Sequence, residues 1–304
     1  MNISICITVL NEESSIGKLL DSLLNQTKKA DEIIIVDGGS KDKTIEIINH
    51  YQRRFGHIKL LKEKCTRARG RNLGVEIAKN KIIAVTDAGC VAWNNWLENL
   101  TAPFANEGVD VSAGFYKMKA KDLFQKAESV FLGTLPQDFD ITFLPSTRSI
   151  AFRKSVWEKI GGFPEEKENS AEDTYFNYNA VKLGVKYARV KSAVVEWGMP
   201  DTIYEFFKKI QTYAKWDART NIYLFPKKGL ASHNIKALFV LLRYLIGLSL
   251  LILGYRFNTL PYLFIGLFAY LIFAFRKAGR WGILLQFVSD FGVMSGFISG
   301  TFGK

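Results

Sequence analysis

Cysteine and histidine are scarce in this chain of 304 residues, which contains three of each. Cys6, Cys65 and Cys90 match no zinc-binding or redox spacing, and their odd number argues against a disulfide framework. We therefore expect each thiol to serve as a small buried hydrophobe. The three histidines are isolated in the sequence, so the pattern indicates neither a histidine metal site nor a catalytic triad.

The chain also lacks the glycine-rich signatures of two common nucleotide-binding folds. No G-x-G-x-x-G follows the first predicted strand, which argues against a dinucleotide-dependent dehydrogenase. No G-x-x-x-x-G-K-[ST] occurs, so a P-loop is excluded. A signal peptide is not predicted, because the apolar stretch Met1–Leu10 is short and leads directly into polar residues. We expect the N-terminal part of the chain to stay in a reducing cytoplasm.

Acidic residues almost disappear from the last quarter of the chain. Between Lys236 and Lys304 the only acid is Asp290, and long apolar stretches dominate. These stretches are Ala237–Gly254, Leu260–Phe275 and Trp281–Phe302. Since a membrane span needs roughly 20 apolar residues, we predict a membrane-associated region over residues 226–304 with two to three hydrophobic helices. Amphipathic helices lying in the membrane interface are the alternative.

Basic residues flank these stretches unevenly. Lys227, Lys228 and Lys236 precede the first stretch, and Arg276, Lys277 and Arg280 follow the second. Only Arg256 lies in the predicted turn over residues 255–259. Because positive charge favours the cytoplasmic side, we predict a location at the cell membrane, with the N-terminal domain on its cytoplasmic face.

Glycine recurs every fourth residue in the third stretch, at Gly292, Gly296 and Gly300. Small residues at this spacing let helix backbones approach closely in membranes. The pattern therefore predicts close helix packing on the helix face that carries these three glycines.

The net charge of the whole chain is 41 − 29 = +12. The basic residues are scattered and form neither a basic arm nor a stripe on one helix, so we predict no nucleic-acid partner. Anionic lipid, together with a substrate that carries phosphates, fits this distribution better.

Strand and helix patterns alternate through the first part of the chain. Short β-branched runs predict buried strands, and apolar residues at helical spacing predict the helices between them. The four predicted strands cover 3–9, 33–36, 58–61 and 82–86, and the helices begin at Ile16, Thr44 and Ala68, with Ser40 capping the second. Such alternation is typical of a mainly parallel sheet covered by helices, and we predict an α/β domain over residues 1–225.

Polar and acidic residues follow three of these predicted strands. Ligands of parallel sheets bind beyond the carboxyl ends of the strands. Those ends carry Asn11-Glu12, Asp37-Gly38-Gly39-Ser40 and Asp87-Ala88-Gly89. A nucleotide site is therefore expected at this edge of the sheet.

Five short motifs occur in an order that resembles a family 2 glycosyltransferase. They are Thr8–Glu13, Ile35–Asp42, Ala68–Gly74, Thr86–Gly89, and Ile160–Phe163 followed by Ala171–Asp173. The resemblance covers roughly the first 220 residues. It implies a GT-A type fold, a nucleotide-diphospho-sugar donor carrying UDP or GDP, and transfer with inversion at the anomeric carbon.

The resemblance also implies roles for the donor pocket. Asp37 resembles the carboxylate that contacts the nucleoside, although an Asp-Gly pair is equally a common turn. Thr8, Asn11 and Glu12 are implied in the donor pocket, with helix capping as the alternative for the last two. Arg71 matches an arginine suited to diphosphate or uracil-like carbonyls.

Asp87 matches the first acid of the Asp-x-Asp motif that holds a divalent cation in the family. The second acid is replaced by Gly89. A Mg²⁺ or Mn²⁺ ion takes many of its ligands from water and phosphate, so one carboxylate can suffice. We predict a divalent cation at Asp87, with its requirement put in doubt by Gly89.

Glu172 and Asp173 resemble the acidic pair from which the family draws its general base. Inverting transfer needs a carboxylate that deprotonates the attacking acceptor hydroxyl. We assign this role to Asp173 and place Glu172 beside the substrate; the alternative is helix stabilisation by acids in a first turn.

The first functional hypothesis is a membrane-bound inverting glycosyltransferase. Its acceptor would be a polyisoprenoid-linked glycan, a glycolipid or a surface polysaccharide, because the tail would hold the site at a membrane. The second hypothesis, motivated by Gly89, is a degenerate protein that binds a nucleotide sugar or a partner without catalysis.

Overall fold

The computed structural model describes residues 1–165, 171–225, 230–258 and 260–303. Its strands are β1 (Ile3–Val9), β2 (Glu32–Asp37), β3 (Ile58–Lys62), β4 (Ile82–Val85), β5 (Cys90–Ala92), β6 (Val111–Lys119), β7 (Ile150–Arg153), β8 (Tyr187–Gly198), β9 (Leu224–Phe225) and β10 (Leu230–Ala231). Its helices are α1 (Ile16–Leu24), α2 (Thr44–Arg54), α3 (Arg67–Ile77), α4 (Trp96–Thr101), α5 (Leu123–Leu132), α6 (Lys154–Ile160), α7 (Glu172–Lys182), α8 (Ile203–Thr220), α9 (His233–Phe257) and α10 (Leu260–Phe302).

The chain divides into two compact units. Unit 1 comprises Met1–Lys119 and Thr134–Gly198, and unit 2 comprises Ala120–Gly133 and Met199–Lys304. These two units are defined by how compactly the chain packs within each of them. The predicted boundary at residue 225 concerns the end of a catalytic domain, and it stays a prediction. Lys227 and Lys228, whose charges entered the orientation argument, lie outside the described residues, as does Thr259 of the predicted turn.

Unit 1 is built on one mixed sheet. Across the described residues its strand order is β3-β2-β1-β4-β7-β6-β8-β5. The first four strands are parallel, as predicted, while β7 and β5 run antiparallel to their neighbours. The parallel half therefore gathers the ends of β1, β2 and β4 at one edge.

The core of unit 1 lies on both faces of this sheet. In β1, Ile3, Ile5 and Ile7 belong to one apolar cluster with the buried face of α1, while Cys6 belongs to a second cluster with α3. This alternation is the period of two expected of a strand. Because both faces are covered, β2 is buried over its full length, Glu32 to Asp37.

Two of the three cysteines are buried, as expected, and Cys65 is only partly buried. All three thiols are free. The prediction that each cysteine is a small buried hydrophobe is therefore confirmed for Cys6 and Cys90. It is wrong for Cys65, which is only partly buried because it follows β3 at the open edge of the sheet.

Unit 2 is helical and is organised by contact between α8 and the second half of α10. A capping box fixes the start of α8: the Thr202 side chain accepts from the Glu205 N–H, and the Glu205 side chain accepts from the Thr202 N–H. A Cβ added at Gly296 would lie 2.3 Å from the Gln211 carbonyl oxygen, and one at Gly300 would lie 2.2 Å from that of Lys215. The predicted glycine stripe thus allows close packing, and its partner is α8.

Two helices of unit 2 are long and apolar enough to cross a membrane by length and composition, α9 from His233 to Gly254 and α10. The residues along α9 and the first half of α10 are largely exposed. Ala278 and Gly279 break the helical backbone of α10, which separates the second and third predicted stretches.

The two charges that interrupt the apolar stretches bind each other. Asp290, 2% exposed, accepts from the Arg243 guanidinium at 2.5 Å, from the Tyr244 hydroxyl at 3.0 Å and from the Tyr270 hydroxyl. Gln286 donates to its other oxygen at 2.9 Å. Buried charges persist when they are paired and hydrogen-bonded, and here the pair joins α9 to α10.

Candidate active site

The carboxyl ends of β1, β2 and β4 bring the predicted site residues to one edge of the sheet in unit 1. The register pairs Val9 with Asp37, so the loops after β1 and β2 begin side by side. On the other side of β1, β4 ends at Val85, two residues before Asp87. The expectation that polar residues of separate motifs share one edge is confirmed.

A buried arginine connects three of the motifs. Arg71 is 2% exposed, and it donates to Asp87 at 2.7 Å and to Glu172. Its guanidinium also lies over the Phe163 ring, 5.9 Å from the centroid. Arg71 therefore holds together two acids that are 85 residues apart in sequence, counted from Asp87 to Glu172.

Helix α3 presents Arg71 because it lies unusually close to the sheet. The Thr66 side chain caps the helix by accepting from the Arg69 N–H. A Cβ at Gly70 would lie 2.9 Å from Cγ2 of Thr8, and one at Gly74 would lie 3.4 Å from Cβ of Cys6. These two glycines explain the glycine spacing of the motif at 68–74, since a larger residue at Gly70 would push the helix away from β1.

Asn72 ties the same helix to the Gly-Gly-Phe motif. Its side-chain oxygen accepts from the Phe163 N–H at 2.8 Å and from the Trp157 indole at 3.1 Å, and its amide donates to the Phe163 carbonyl at 2.7 Å. Gly162 has φ +75° and lies against this amide, a conformation that L side chains rarely adopt. The sequence reasoning did not single out Asn72.

Glu172 and Asp173 occupy the first turn of α7, where the helix N-terminus favours negative charge. Glu172 is 4% exposed, and its Oε2 finds no hydrogen-bond partner among the described residues. Asp173 is half-buried and accepts from the Thr174 N–H at 2.8 Å. Ala171 precedes the pair with φ +68°, in the left-handed region, which is uncommon for alanine and marks a constrained turn.

The two aspartates of the site have pKa values displaced in opposite directions. Burial and the negative charge of Glu172 raise the pKa of Asp173 to about 6, against the opposing effect of Arg71 and Arg148. Burial also disfavours the charged form of Asp87, but Arg71, Arg148 and Arg67 outweigh it and lower the pKa of that carboxyl. Asp87 is thus held ionised, while the Asp173 carboxyl keeps its proton to a higher pH than an ordinary aspartate does, because its pKa is raised.

The Asp37 side chain stabilises the turn that follows β2. It is 1% exposed, and its carboxylate accepts from the Gly39 N–H at 3.0 Å and the Ser40 N–H at 3.1 Å. The prediction that Ser40 caps α2 was wrong: α2 begins at Thr44, and the Ser40 hydroxyl accepts from the Asn11 N–H at 2.9 Å. The contact of Asp37 with a nucleoside stays a prediction.

The loop after β1 is held against the loop after β2. Asn11 has φ +55°, and its side-chain oxygen accepts from the Lys41 N–H at 2.8 Å. The Glu12 N–H donates to the Thr44 hydroxyl at 2.7 Å, and its carboxylate accepts from Ser15. Thr8 is half-buried in β1 beneath Gly70. These contacts order the loops after β1 and β2, and the donor-binding roles of Thr8, Asn11 and Glu12 stay predictions.

Arg148 acts electrostatically on Asp87 and Asp173, and the sequence alone did not single it out. Its guanidinium lies over the Trp197 ring, 3.8 Å from the centroid, and over Tyr116, 4.9 Å from the centroid. It precedes β7, in a segment that matches none of the five family motifs. The Pro145–Ser149 stretch carries no helix or strand period, so only its position beside the β7 end would have indicated a role.

The residues present fit a dedicated metal site poorly. Within the described parts of the chain, no group of three or more His, Cys, Asp or Glu side chains is arranged to hold a metal ion. Asp87 is already paired with Arg71, and Gly89 supplies no second acid. The carboxylate of Asp87 is the side-chain ligand that the predicted Mg²⁺ or Mn²⁺ would find here.

The model of glycosyl transferase family 2 matches residues 4–160, just over half of the chain. The chain belongs to this family. It is 27% identical over 189 residues to the glycosyltransferase AglE of Haloferax volcanii, covering 60% of this chain and 62% of that protein. It is 31% identical over 195 residues to a poly(ribitol-phosphate) beta-glucosyltransferase of Bacillus spizizenii, covering 59% of this chain and 29% of that enzyme.

Solved structures show the same fold for this family 2 glycosyltransferase. The mannosyltransferase PcManGT of Pyrobaculum calidifontis, in complex with GDP-Man and Mn²⁺, aligns with a TM-score of 0.62 at 18% identity over all of this chain and 88% of that one. GalNAc-T7 with UDP, GalNAc and Mn²⁺ aligns with a TM-score of 0.54 at 15% identity, over 72% of this chain and 50% of that one. The predicted GT-A fold and the predicted family are confirmed. The chain matches less than two thirds of the length of the curated relatives described above.

Proposed function

We propose that this glycosyltransferase moves a sugar from a UDP- or GDP-sugar to a hydroxyl of a membrane-linked acceptor, with inversion of the anomeric carbon. The observation that carries the proposal is the Arg71 bridge from Asp87 to Glu172, with Asp173 beside it at a raised pKa. Named relatives act on poly(ribitol-phosphate) and O-antigen chains, which supports a glycan acceptor.

Asp173 is the proposed general base. As the acceptor oxygen attacks the anomeric carbon, its proton passes to the Asp173 carboxylate. The bond from that carbon to the diphosphate oxygen breaks, and its electron pair leaves with the nucleoside diphosphate. A base whose pKa lies near neutrality is well matched to this proton transfer.

Arg71 and Glu172 are proposed to position this chemistry. Arg71 makes buried, charge-assisted hydrogen bonds to both acids, which fixes the first turn of α7 against the end of β4. Its guanidinium is enclosed by these partners, so we assign it the orientation of Asp87 and Glu172. The wall formed by Thr8, Asn11 and Glu12 together with Asp37 is proposed to receive the nucleoside.

A divalent cation is proposed to enter with the donor. Both solved relatives described above contain Mn²⁺ with nucleotide or nucleotide sugar. In this chain the ion would be held by the donor phosphates, water and Asp87, since Mg²⁺ and Mn²⁺ accept oxygen ligands from all three.

The proposed membrane location rests on the apolar helices of unit 2. Exposed apolar surface along α9 and the first half of α10 is costly in water and favourable in a bilayer. Lys236 near the start of α9 and Arg276, Lys277 and Arg280 after the second apolar stretch support a cytoplasmic catalytic domain. The same helices would hold the active site near a lipid-linked acceptor.

A non-catalytic binding protein is the second candidate, and the replacement of an acid by Gly89 favours it. This candidate requires donor binding without sugar transfer. One experiment distinguishes the two.

The test uses sealed membrane vesicles of both orientations prepared from cells producing the full chain, with matched vesicles from cells lacking it. A panel of radiolabelled UDP- and GDP-sugars is supplied outside the vesicles, with Mn²⁺ or with EDTA. We expect protein-dependent labelling of the lipid extract by one donor, in inside-out vesicles only, because nucleotide sugars do not cross membranes.

Each part of the proposal has its own contrary result. Labelling of aqueous glycan alone would contradict a lipid-linked acceptor, and labelling in right-side-out vesicles would contradict the cytoplasmic face. Donor binding with no labelled product in any fraction would favour the non-catalytic candidate.

A further inference from the structure

We propose that Asn72 is a positioning residue for Asp173: it fixes the backbone of Phe163, whose ring supports the first turn of α7, where the proposed base lies. The proposal rests on the function proposed above and adds a residue that acts on the base without contacting a substrate. Asn72 belongs to the motif at 68–74, and none of the roles assigned above uses it.

The first observation is that the Asn72 side chain is buried and that both ends of its amide are hydrogen-bonded. The residue is 5% exposed. Its Oδ1 accepts from the Phe163 N–H at 2.8 Å and from the Trp157 indole at 3.1 Å. Its Nδ2 donates to the Phe163 carbonyl and to the Glu165 carboxylate, each at 2.7 Å. One side-chain amide, which offers both acceptor and donor groups, therefore binds Phe163 through its N–H and its carbonyl together.

The second observation is that the backbone before Phe163 is shaped to this contact. Gly161 and Gly162 have φ +88° and +75°, in the left-handed region that L side chains rarely adopt. A Cβ added at Gly162 would lie 2.9 Å from Oδ1 of Asn72. The two glycines of the Gly-Gly-Phe motif therefore bring the Phe163 backbone against the amide.

The third observation is the position of the Phe163 ring. It is 1% exposed and stacks on the Phe176 ring, with centroids 4.8 Å apart and planes 23° apart. It also meets the Phe152 ring of β7 edge to face, at 6.2 Å between centroids. Phe176 follows Asp173 by three residues in α7, so the two lie on neighbouring positions of one helix face. The Phe163 ring therefore joins the base-bearing end of α7 to the sheet.

The fourth observation is that the residue next to Asn72 holds the same turn of α7. Arg71 binds Glu172, and its guanidinium lies 5.9 Å from the centroid of the Phe163 ring. Consecutive residues of α3 thus fix the start of α7 twice, by charge at Glu172 and by packing through Phe163. Because a misplacement of about 1 Å can cost about a hundredfold in rate, loosening this support should reach the reaction through Asp173.

Gln26 offers a matched control for Asn72. It is 2% exposed, and its amide donates to the carbonyls of Ser22 and Trp93 and accepts from the Leu97 N–H. It follows α1 and precedes β2, so it lies at the amino ends of the parallel strands, opposite to the edge that carries the site. Gln26→Ala therefore removes a comparable buried amide from the same unit without touching α7.

Each protein is tested as the detergent-solubilised full chain. We measure kcat for labelled-sugar transfer from the donor identified by the vesicle assay, the Kd of the corresponding nucleoside diphosphate by calorimetry, and the melting temperature. A positioning role predicts a loss of kcat without a matching loss of nucleotide affinity.

Asn72→Ala should lower kcat by about tenfold to a hundredfold, because Asp173 loses its fixed position, with the nucleotide Kd within about threefold. Phe163→Leu keeps an apolar side chain but lacks the ring, so it should lower kcat in the same way. Gln26→Ala should lower the melting temperature and leave kcat within about threefold of the wild type.

An exchange of donor and acceptor gives a rescue. Asn72→Asp keeps an oxygen for the Phe163 N–H but places a second oxygen against the Glu165 carboxylate, so kcat should fall. Adding Glu165→Gln supplies an amide donor at that contact and should recover part of the loss. Glu165→Gln alone should leave kcat within about threefold of the wild type.

Three results would overturn the proposal while Asp173→Asn still abolishes turnover and the proposed function stands. One is turnover by Asn72→Ala or Phe163→Leu within about threefold of the wild type. The second is an equal loss of kcat in Gln26→Ala, which would assign the effect to destabilisation of the unit. The third, which decides the question if Asn72→Ala does not fold, is an Asn72→Asp protein that Glu165→Gln does not rescue.

The proposed function fails in a different way. Absence of sugar transfer by the wild type, or turnover by Asp173→Asn at the wild-type rate, would overturn the proposed function, and this proposal with it.

Discussion

At the scale of single residues, the site depends on how buried charges are partnered. Arg71 is buried with Asp87 and Glu172, and removing either acid would leave an arginine without one of its two counter-charges. A buried charge that loses its partner typically costs about 3–5 kcal/mol. Asp173 stands beside this network, and its raised pKa follows from burial and from Glu172.

The pH dependence of sugar transfer follows from this arrangement. Asp173 accepts a proton only when ionised, so kcat/KM should fall by about tenfold per pH unit below the pKa of the free enzyme's base. For the wild type we expect this fall in kcat/KM, the acid limb of the pH profile, to begin near pH 6. Glu172→Gln removes a charge that raises the pKa of Asp173, so its limb should move to lower pH.

The measurement is kcat/KM for labelled-sugar transfer between pH 4.5 and 8.5, with protein integrity checked at each end of the range. Identical acid limbs in the wild type and Glu172→Gln would contradict the assignment of Asp173 and its electrostatic coupling to Glu172.

Sequence reasoning named the acids of the site because they belong to motifs placed at strand ends or a helix start. It matched Arg71 to an arginine suited to diphosphate or uracil-like carbonyls, a role that stays a prediction, and the structure shows that the side chain contacts two acids. Asn72 and Arg148 were missed. Their partners, Phe163 and Trp197, are distant in sequence, so their roles depend on tertiary contacts that no local pattern records.

At the scale of elements, β1, β2 and β4 were predictable because each is a short run rich in β-branched residues and is buried along nearly all of its length. The edge strand β3 is only partly buried and was predicted from its apolar residues and its place in the strand–helix alternation. The short strands β9 and β10 were not predicted, nor were β5, α4 and α5. The strand β5 has three residues, α4 has six, and α5 lies in a stretch of mixed polarity. Each is too short or too weakly patterned to carry a clear period, and each is stabilised by the surface it packs on.

The glycines of unit 2 give a matched pair of substitutions. A Cβ at Gly296 would lie 2.3 Å from a carbonyl oxygen of α8, whereas one at Gly266 meets nothing within 4 Å. Gly296→Ala should therefore destabilise the chain by about 1–3 kcal/mol through overpacking. Gly266→Ala should be neutral or stabilising by up to about 1 kcal/mol, because alanine favours helix.

Thermal unfolding of the two variants in the same detergent tests this contact. A melting temperature for Gly296→Ala equal to or above that of Gly266→Ala would show that α8 and α10 do not pack through the glycine stripe.

At the scale of the whole molecule, the chain combines a nucleotide-sugar transferase fold with exposed apolar helices. Composition predicted the apolar part, because acids almost vanish after residue 235, and the strand–helix alternation together with the family resemblance predicted the fold of the other part. It did not predict that α8 and α5 would pack with the tail in unit 2, since both have amphipathic or mixed sequences that suit a soluble domain equally well. Nor did it predict that Arg243 and Asp290 would pair across two apolar helices.

The central claim is that Asp173 is the base of a sugar-transfer reaction. The most direct test is the turnover rate of Asp173→Asn against the wild type, with the donor identified by the vesicle assay and its Kd measured for both proteins. We predict a loss of at least about 100-fold in kcat, the lower end of general-base contributions, with donor affinity within about threefold. Turnover by Asp173→Asn close to the wild-type rate would contradict the account.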